Sequence, residues 1–269
     1  MSCSPTIPPS RSPRRFVSSP PSTPGRIDLG VGRAPGSDQR TAVALAFPRP
    51  IADIHEFPRQ VADLIGFLEG RLPEGHPFAG ITAQPGEPES LPEVWLLGSS
   101  DYSARLAAAL GLPFSFADFF GVFGEAGPAV AALYRRQFQP SPALAAPKLN
   151  VAVHVVCAET PERAHFLASS RRVMVAMMRS GRPMRGIIPP EVATAWERDH
   201  PDLVAHFARH DIVGDPDAVR TQLLAVADRY ETGDLTIAGN LYDFADRLRS
   251  FELIAEAVLG TPLATGGDG

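Results

Sequence analysis

Cysteine is almost absent from this chain of 269 residues: Cys3 and Cys157 are the only two. They are too few and too far apart for a disulfide framework or a cysteine metal cluster, and Cys157 ends an apolar run where a thiol serves as a small hydrophobe. No window holds the roughly 18 uninterrupted apolar residues of a membrane helix, and no apolar segment follows the N-terminal arginines, so neither spanning nor secretion is supported. A cytoplasmic globular protein is the expectation. Positive charge is not in excess: 25 Lys and Arg stand against 30 Asp and Glu, a formal charge of -5. The basic residues do not gather in one segment, which argues against a nucleic-acid partner. No serine sits in a Gly-x-Ser-x-Gly frame, so hydrolase chemistry is not indicated. His206 and His210 have the i, i+4 spacing of a helical metal pair but lack the Glu of His-Glu-x-x-His and a third ligand, and read as a solvated helix face. No metal site is expected.

With 44% hydrophobic residues the chain can bury a large core and form one α/β domain, since barrels of this class run to about 250 residues. Met1 to Pro24 stand apart, with seven Ser, seven Pro, three Arg and no acid. Such a segment cannot fold by itself. From Arg26 onward short apolar runs alternate with amphipathic helices. Strands are expected at Arg26–Val31, Val94–Leu97, Phe114–Ala117, Asn150–Ala158 and Asp234–Ala238. Helices are expected over Pro58–Leu68, over Asp101–Leu110 with Ser100 as cap and Gly111 as stop, from Pro128, after Thr160-Pro161, after Asp215-Pro216 and over Tyr242–Val258. Gly181 to Pro201 reads as an irregular, proline-interrupted excursion. Strands separated by helices imply a parallel sheet with right-handed crossovers. His154 falls inside a strand apolar enough to be buried on both faces, and reads as a core or pocket-lining residue.

Two strand-to-helix turns are suited to anions, because free helix N–H groups and the positive end of the helix dipole meet there. The first is Gly30-Val31-Gly32-Arg33-Ala34-Pro35-Gly36. As a dinucleotide fingerprint it is poor, with its third glycine one residue late and a proline in the turn. It offers a guanidinium that either contacts a phosphate bidentately or closes the rim by pairing with an acid. The second is Gly98-Ser99-Ser100-Asp101-Tyr102-Ser103, whose small hydroxyl residues leave amides open to a phosphate, although capping by Ser100 needs no ligand.

Pro24 to Gly36, Trp95-Leu96-Leu97-Gly98-Ser99-Ser100 and Ala108-Ala109-Leu110-Gly111-Leu112-Pro113-Phe114 resemble the bacterial luciferase-like flavin monooxygenases. So do Asn240-Leu241-Tyr242-Asp243 and Arg247-Leu248-Arg249-Ser250-Phe251-Glu252, and the resemblance covers Arg26 to Leu259. It implies an α/β fold of the TIM-type (β/α)8 barrel class and an oxidoreductase acting on paired donors with incorporation of molecular oxygen. Reduced FMN, or in some relatives a deazaflavin, is the implied cofactor. The implied partners are a small-molecule substrate, O2, a flavin reductase as electron source and a second copy in a homodimer. Arg33, Gly98, Ser99, Ser100, Tyr102 and Ser103 match the family's phosphate-binding positions, while no catalytic residue is assigned. Asp118-Phe119-Phe120 departs from the histidine the family usually places after the strand expected at Phe114–Ala117.

Against the family the chain is expected to hold barrel strands four to eight over residues 25–269 and none of the first three. In a frame shifted by two bases, codons allowed by Met1 to Gly25 read as the family segment that precedes the fourth strand. Residues 1–24 are therefore expected to be a disordered, frameshift-derived tail, and the truncated chain a poor catalyst. The alternatives are a non-catalytic flavin-binding protein of the same fold and an unrelated α/β phosphate-sugar enzyme.

Overall fold

The structure, a computed structural model, describes residues 27–33, 39–48, 53–81, 83, 91–120, 126–182, 186–207 and 211–260. The expected N-terminal tail and His210 lie outside them. Two compact units emerge, one formed by Met1–Gly98, Tyr102–Phe114 and Gln137–Lys148, the other by Ser99–Asp101, Ser115–Arg136 and Leu149–Gly269.

In the first unit, β1 (Asp28–Gly32) and β2 (Glu93–Gly98) pair in parallel, with Gly30 beside Trp95 and Gly32 beside Leu97. Helices α1 (Gln39–Ala46) and α2 (Phe57–Glu69) separate them in sequence. Leu64 and Leu68 of α2 bury against Leu29 of β1 and Ala83, joined by Val31, Leu91 and Val94. The apolar stripe of α2 is what puts these side chains on one face, and the helix stops at Gly70, whose φ of 66° is the left-handed cap that glycine adopts without strain. Helix α3 (Asp101–Leu110) follows β2, buries Ala104, Ala107 and Ala108, and ends at Gly111 with φ 61°. The Leu96 amide donates to Pro113 O at 2.9 Å, and the amide of Phe114, which opens β3 (Phe114–Ala117), donates to Lys148 O at 3.0 Å.

The second unit is built on β4 (Leu149–Cys157), all nine residues of which are buried. A β-branched run without polar alternation is what a strand covered on both faces requires. It pairs in parallel with β5 (Ile212–Gly214) along Val155–Cys157 and with β6 (Leu235–Ala238) along Val151–His154. Asn150 knots the strand starts: its Oδ1 accepts from Ser115 and Thr236, and its Nδ2 donates to Asp234. Around this sheet lie α4 (Gly127–Gln137), α5 (Pro161–Arg179), α6 (Pro190–Asp199), α7 (Pro201–Phe207), α8 (Pro216–Tyr230) and α9 (Phe244–Leu259). Thr160, Asp215 and Asp243 cap α5, α8 and α9 through side-chain oxygens on the first-turn amides.

Two expectations are corrected. The segment expected to be irregular contains α6 and leads into α7; Pro190 and Pro201 are first helical residues rather than interruptions, because a proline at that position loses no hydrogen bond. Strand β5 was not anticipated: its three residues are too few for a periodic signal, and its pairing with β4 creates it. Among the described residues, no helix is long and apolar enough to cross a membrane, and no group of three or more His, Cys, Asp or Glu is placed to hold a metal ion.

Candidate functional site

In the first unit, the parallel register that sets Gly32 beside Leu97 brings the ends of β1 and β2 to one level, so that Arg33 and Gly98 leave their strands side by side. Arg33 is exposed, and its guanidinium carbon lies 4.5 Å from the centroid of the Tyr102 ring. That cation–π contact holds the guanidinium against the ring. One turn into α3, Ser103 is buried and packed onto the α-carbon of Gly98: a β-carbon added there would stand 2.2 Å from Ser103 Oγ and 2.4 Å from Ser103 Cβ. Only glycine lets the chain turn from β2 into the helix this closely.

Of the six residues the sequence singled out, the structure thus gathers Arg33, Gly98, Tyr102 and Ser103 in one unit. Ser99 and Ser100 form the half-exposed turn between β2 and α3 and group with the second unit. Of the two readings of Arg33, the contact seen is with an aromatic face. A guanidinium against an aromatic face, a glycine at the strand end and the first turn of a ten-residue helix are the chemistry of an anion cradle.

The second unit holds a buried charge network with no local signature in the sequence. Arg171 on α5 meets the Asp211 carboxylate with Nη1 at 3.2 Å and donates from Nη2 to Phe119 O at 2.7 Å. His154 Nδ1 stands 3.6 Å from the same carboxylate, too long for a hydrogen bond, and Nε2 accepts the Asn240 amide at 3.0 Å. Burial, and then the Arg171 charge, hold the His154 imidazole well below its ordinary value, so the ring is neutral. No periodicity links these residues in sequence; only the fold does. Beside the network is a cavity of about 430 Å³, lined in part by Asp211, Gln222 and the ion-paired Arg172 and Glu197. Asp118 to Phe120, where the sequence departs from the family's pattern, form a single 3-10 turn after β3. Burial raises the Cys157 thiol to about 11, leaving it protonated and unreactive. His206 lies on α7, but its side chain is outside the described set.

The model of the luciferase-like monooxygenases matches residues 22–233. The chain belongs to the luciferase-like monooxygenase family. A luciferase-like monooxygenase of Escherichia coli K12 is 38% identical over 245 residues, a match covering 88% of this chain and 70% of the relative. Among solved structures, apo-MsnO8 is similar with a TM-score of 0.78 at 32% identity, covering 96% of this chain and 76% of that one. The oxygenating constituent of 3,6-diketocamphane monooxygenase from Pseudomonas putida, a type II Baeyer–Villiger monooxygenase solved with FMN, is similar with a TM-score of 0.60. It is 18% identical, covering 96% and 78% of the two chains, and speaks to the fold alone. As a luciferase-like monooxygenase, the chain has the expected α/β fold of the TIM type.

Proposed function

We propose that this luciferase-like monooxygenase is a flavin-dependent enzyme that holds the FMN phosphate at the ends of β1 and β2. The observation that carries the reading is the Arg33 guanidinium stacked on Tyr102 beside the close approach of Gly98 and Ser103. A dianionic phosphate is met by oriented N–H donors and a positive charge; on this reading the helix start at Gly98 and Ser103 supplies the first and Arg33, held by Tyr102, the second. Tyr102 aims Arg33, and Ser103, by packing on Gly98, sets where α3 begins. Ser99 and Ser100, on the turn before α3, are proposed for the same phosphate on the family resemblance alone.

The chemistry a reduced flavin supplies when bound is reaction with O2 and transfer of an oxygen atom to an organic substrate. The protein's share is to orient the reactants and keep water away. On this reading the enzyme is cytoplasmic, takes its reduced flavin from a separate reductase and works as a homodimer. FMN is the flavin proposed, with a deazaflavin as the alternative that the family resemblance also implies. A second reading, a flavin-binding protein without turnover, is favoured by Asp118-Phe119-Phe120 alone.

Fluorescence titration with FMN and with riboflavin tests the proposal. Wild type binds FMN more tightly than riboflavin, and Arg33→Ala removes most of that preference, weakening FMN binding about tenfold or more, as expected for a lost charged hydrogen bond. Equal affinities for the two flavins in wild type, or an unchanged Kd in Arg33→Ala, would sink the assignment. Oxygen uptake with reduced flavin and substrate then separates the enzyme from the non-catalytic reading.

A further inference from the structure

The ladder between β4 and β6 ends where His154 stands beside Ala238. One residue on, Gly239 runs so close to its neighbours that a β-carbon would lie 3.1 Å from Phe251 Cζ and 3.6 Å from Val155 O. The next amide, Asn240 N–H, finds its acceptor in an imidazole nitrogen instead of a strand carbonyl. A carbonyl accepts at every pH, whereas an imidazole nitrogen accepts only while unprotonated. The segment after β6 is therefore tied to β4 by a bond that a proton can cancel.

The surroundings set how hard that proton is to add. The charges facing His154 are Arg171 from α5 and Asp211 from the residue entering β5. Strand β6 and the segment after it bring backbone groups. With the ring neutral, one cation and one anion share the buried site. With the ring protonated, two cations would share one carboxylate, and Nε2 would turn a hydrogen toward the Asn240 N–H. Two donors would then face each other at 3.0 Å, a geometry that has to open.

We propose that His154 is an acid-sensitive latch: the neutral imidazole pins the Asn240 amide at the C-terminal end of β6, and protonation at Nε2 releases it. In barrels of this type the loops after the strand ends carry the working site, so the latch sets the order of a segment on the functional rim. The inference stands apart from the phosphate site at Arg33 and is read without flavin.

Amide hydrogen exchange on the full chain, corrected for the intrinsic rate and followed from about pH 7.5 to about pH 5, tests it across the histidine range. The control is the Cys157 amide, which is buried and donates to Ser250 Oγ, a group that does not titrate. Protection at Asn240 falls about tenfold or more on acidification, while Cys157, in the fully buried strand β4, reports the opening of the whole fold. In His154→Gln, whose side-chain oxygen accepts but does not titrate, Asn240 stays protected across the range. In His154→Leu it is unprotected throughout. No acid loss at Asn240 in wild type, or an acid loss in His154→Gln equal to wild type, overturns the latch. Should His154→Leu fail to fold, wild type and His154→Gln decide it between them.

Discussion

Gly98 shows how one missing methyl group shapes the candidate site. The nearest obstacles to a β-carbon there are Ser103 Oγ at 2.2 Å and Ser103 Cβ at 2.4 Å, so the constraint is a contact between two named residues. Gly98→Ala forces Ser103, and with it the first turn of α3, to move, at about 1–3 kcal/mol of stability by the usual cost of overpacking. Removing the opposing side chain relieves the clash. In a double-mutant cycle Gly98→Ala with Ser103→Gly is less destabilised than the sum of the single changes, with coupling of about 1 kcal/mol measured by urea denaturation. Simple additivity would show that the two residues are not in conflict. Both residues were legible as a candidate turn because glycine and small hydroxyls mark it locally, whereas the contact between them becomes visible only when α3 is placed.

At the level of elements, helix starts were the most readable feature, since a cap acts within three or four residues of itself. The Thr160 side chain accepts the Arg163 amide at 3.2 Å, and Asp215 Oδ1 accepts the Ala218 amide at 2.9 Å, as the sequence predicted for both. Asp215→Ala leaves first-turn amides of α8 without that partner and costs about 1 kcal/mol, while Asp215→Ser recovers most of it, as thermal melts of the two variants would show. An Asp215→Ala melt matching wild type would mean that water serves this cap equally well. Proline misled where caps did not. Between Gly181 and Pro201 it reads as a break in structure, yet Pro190 and Pro201 open helices; the residue alone does not say on which side of it the helix lies.

For the whole molecule, the buried histidine makes stability depend on pH. In the unfolded chain His154 titrates near its ordinary 6.5, and in the fold its value lies well below that. Above 6.5 the ring is neutral in both states and the fold loses nothing. Below 6.5 the unfolded chain binds a proton the folded one refuses, so stability falls with falling pH, by up to about 1.4 kcal/mol per unit until the folded value is reached. The urea midpoint therefore drops between pH 7 and pH 5, and His154→Gln shows a shallower drop; equal slopes would mean that carboxylates elsewhere dominate. The sequence by itself determined the alternation of strands and helices, the burial of β4, the caps and the family, because propensity, periodicity and capping act between residues a few positions apart. The tertiary structure decided the rest: strand β5, the stacking of Arg33 on Tyr102, and the network in which Asn240 reaches His154 across 86 residues and Arg171 reaches Phe119 across 52. Such contacts have no local signature, since what joins their members is the packing of a sheet against its helices.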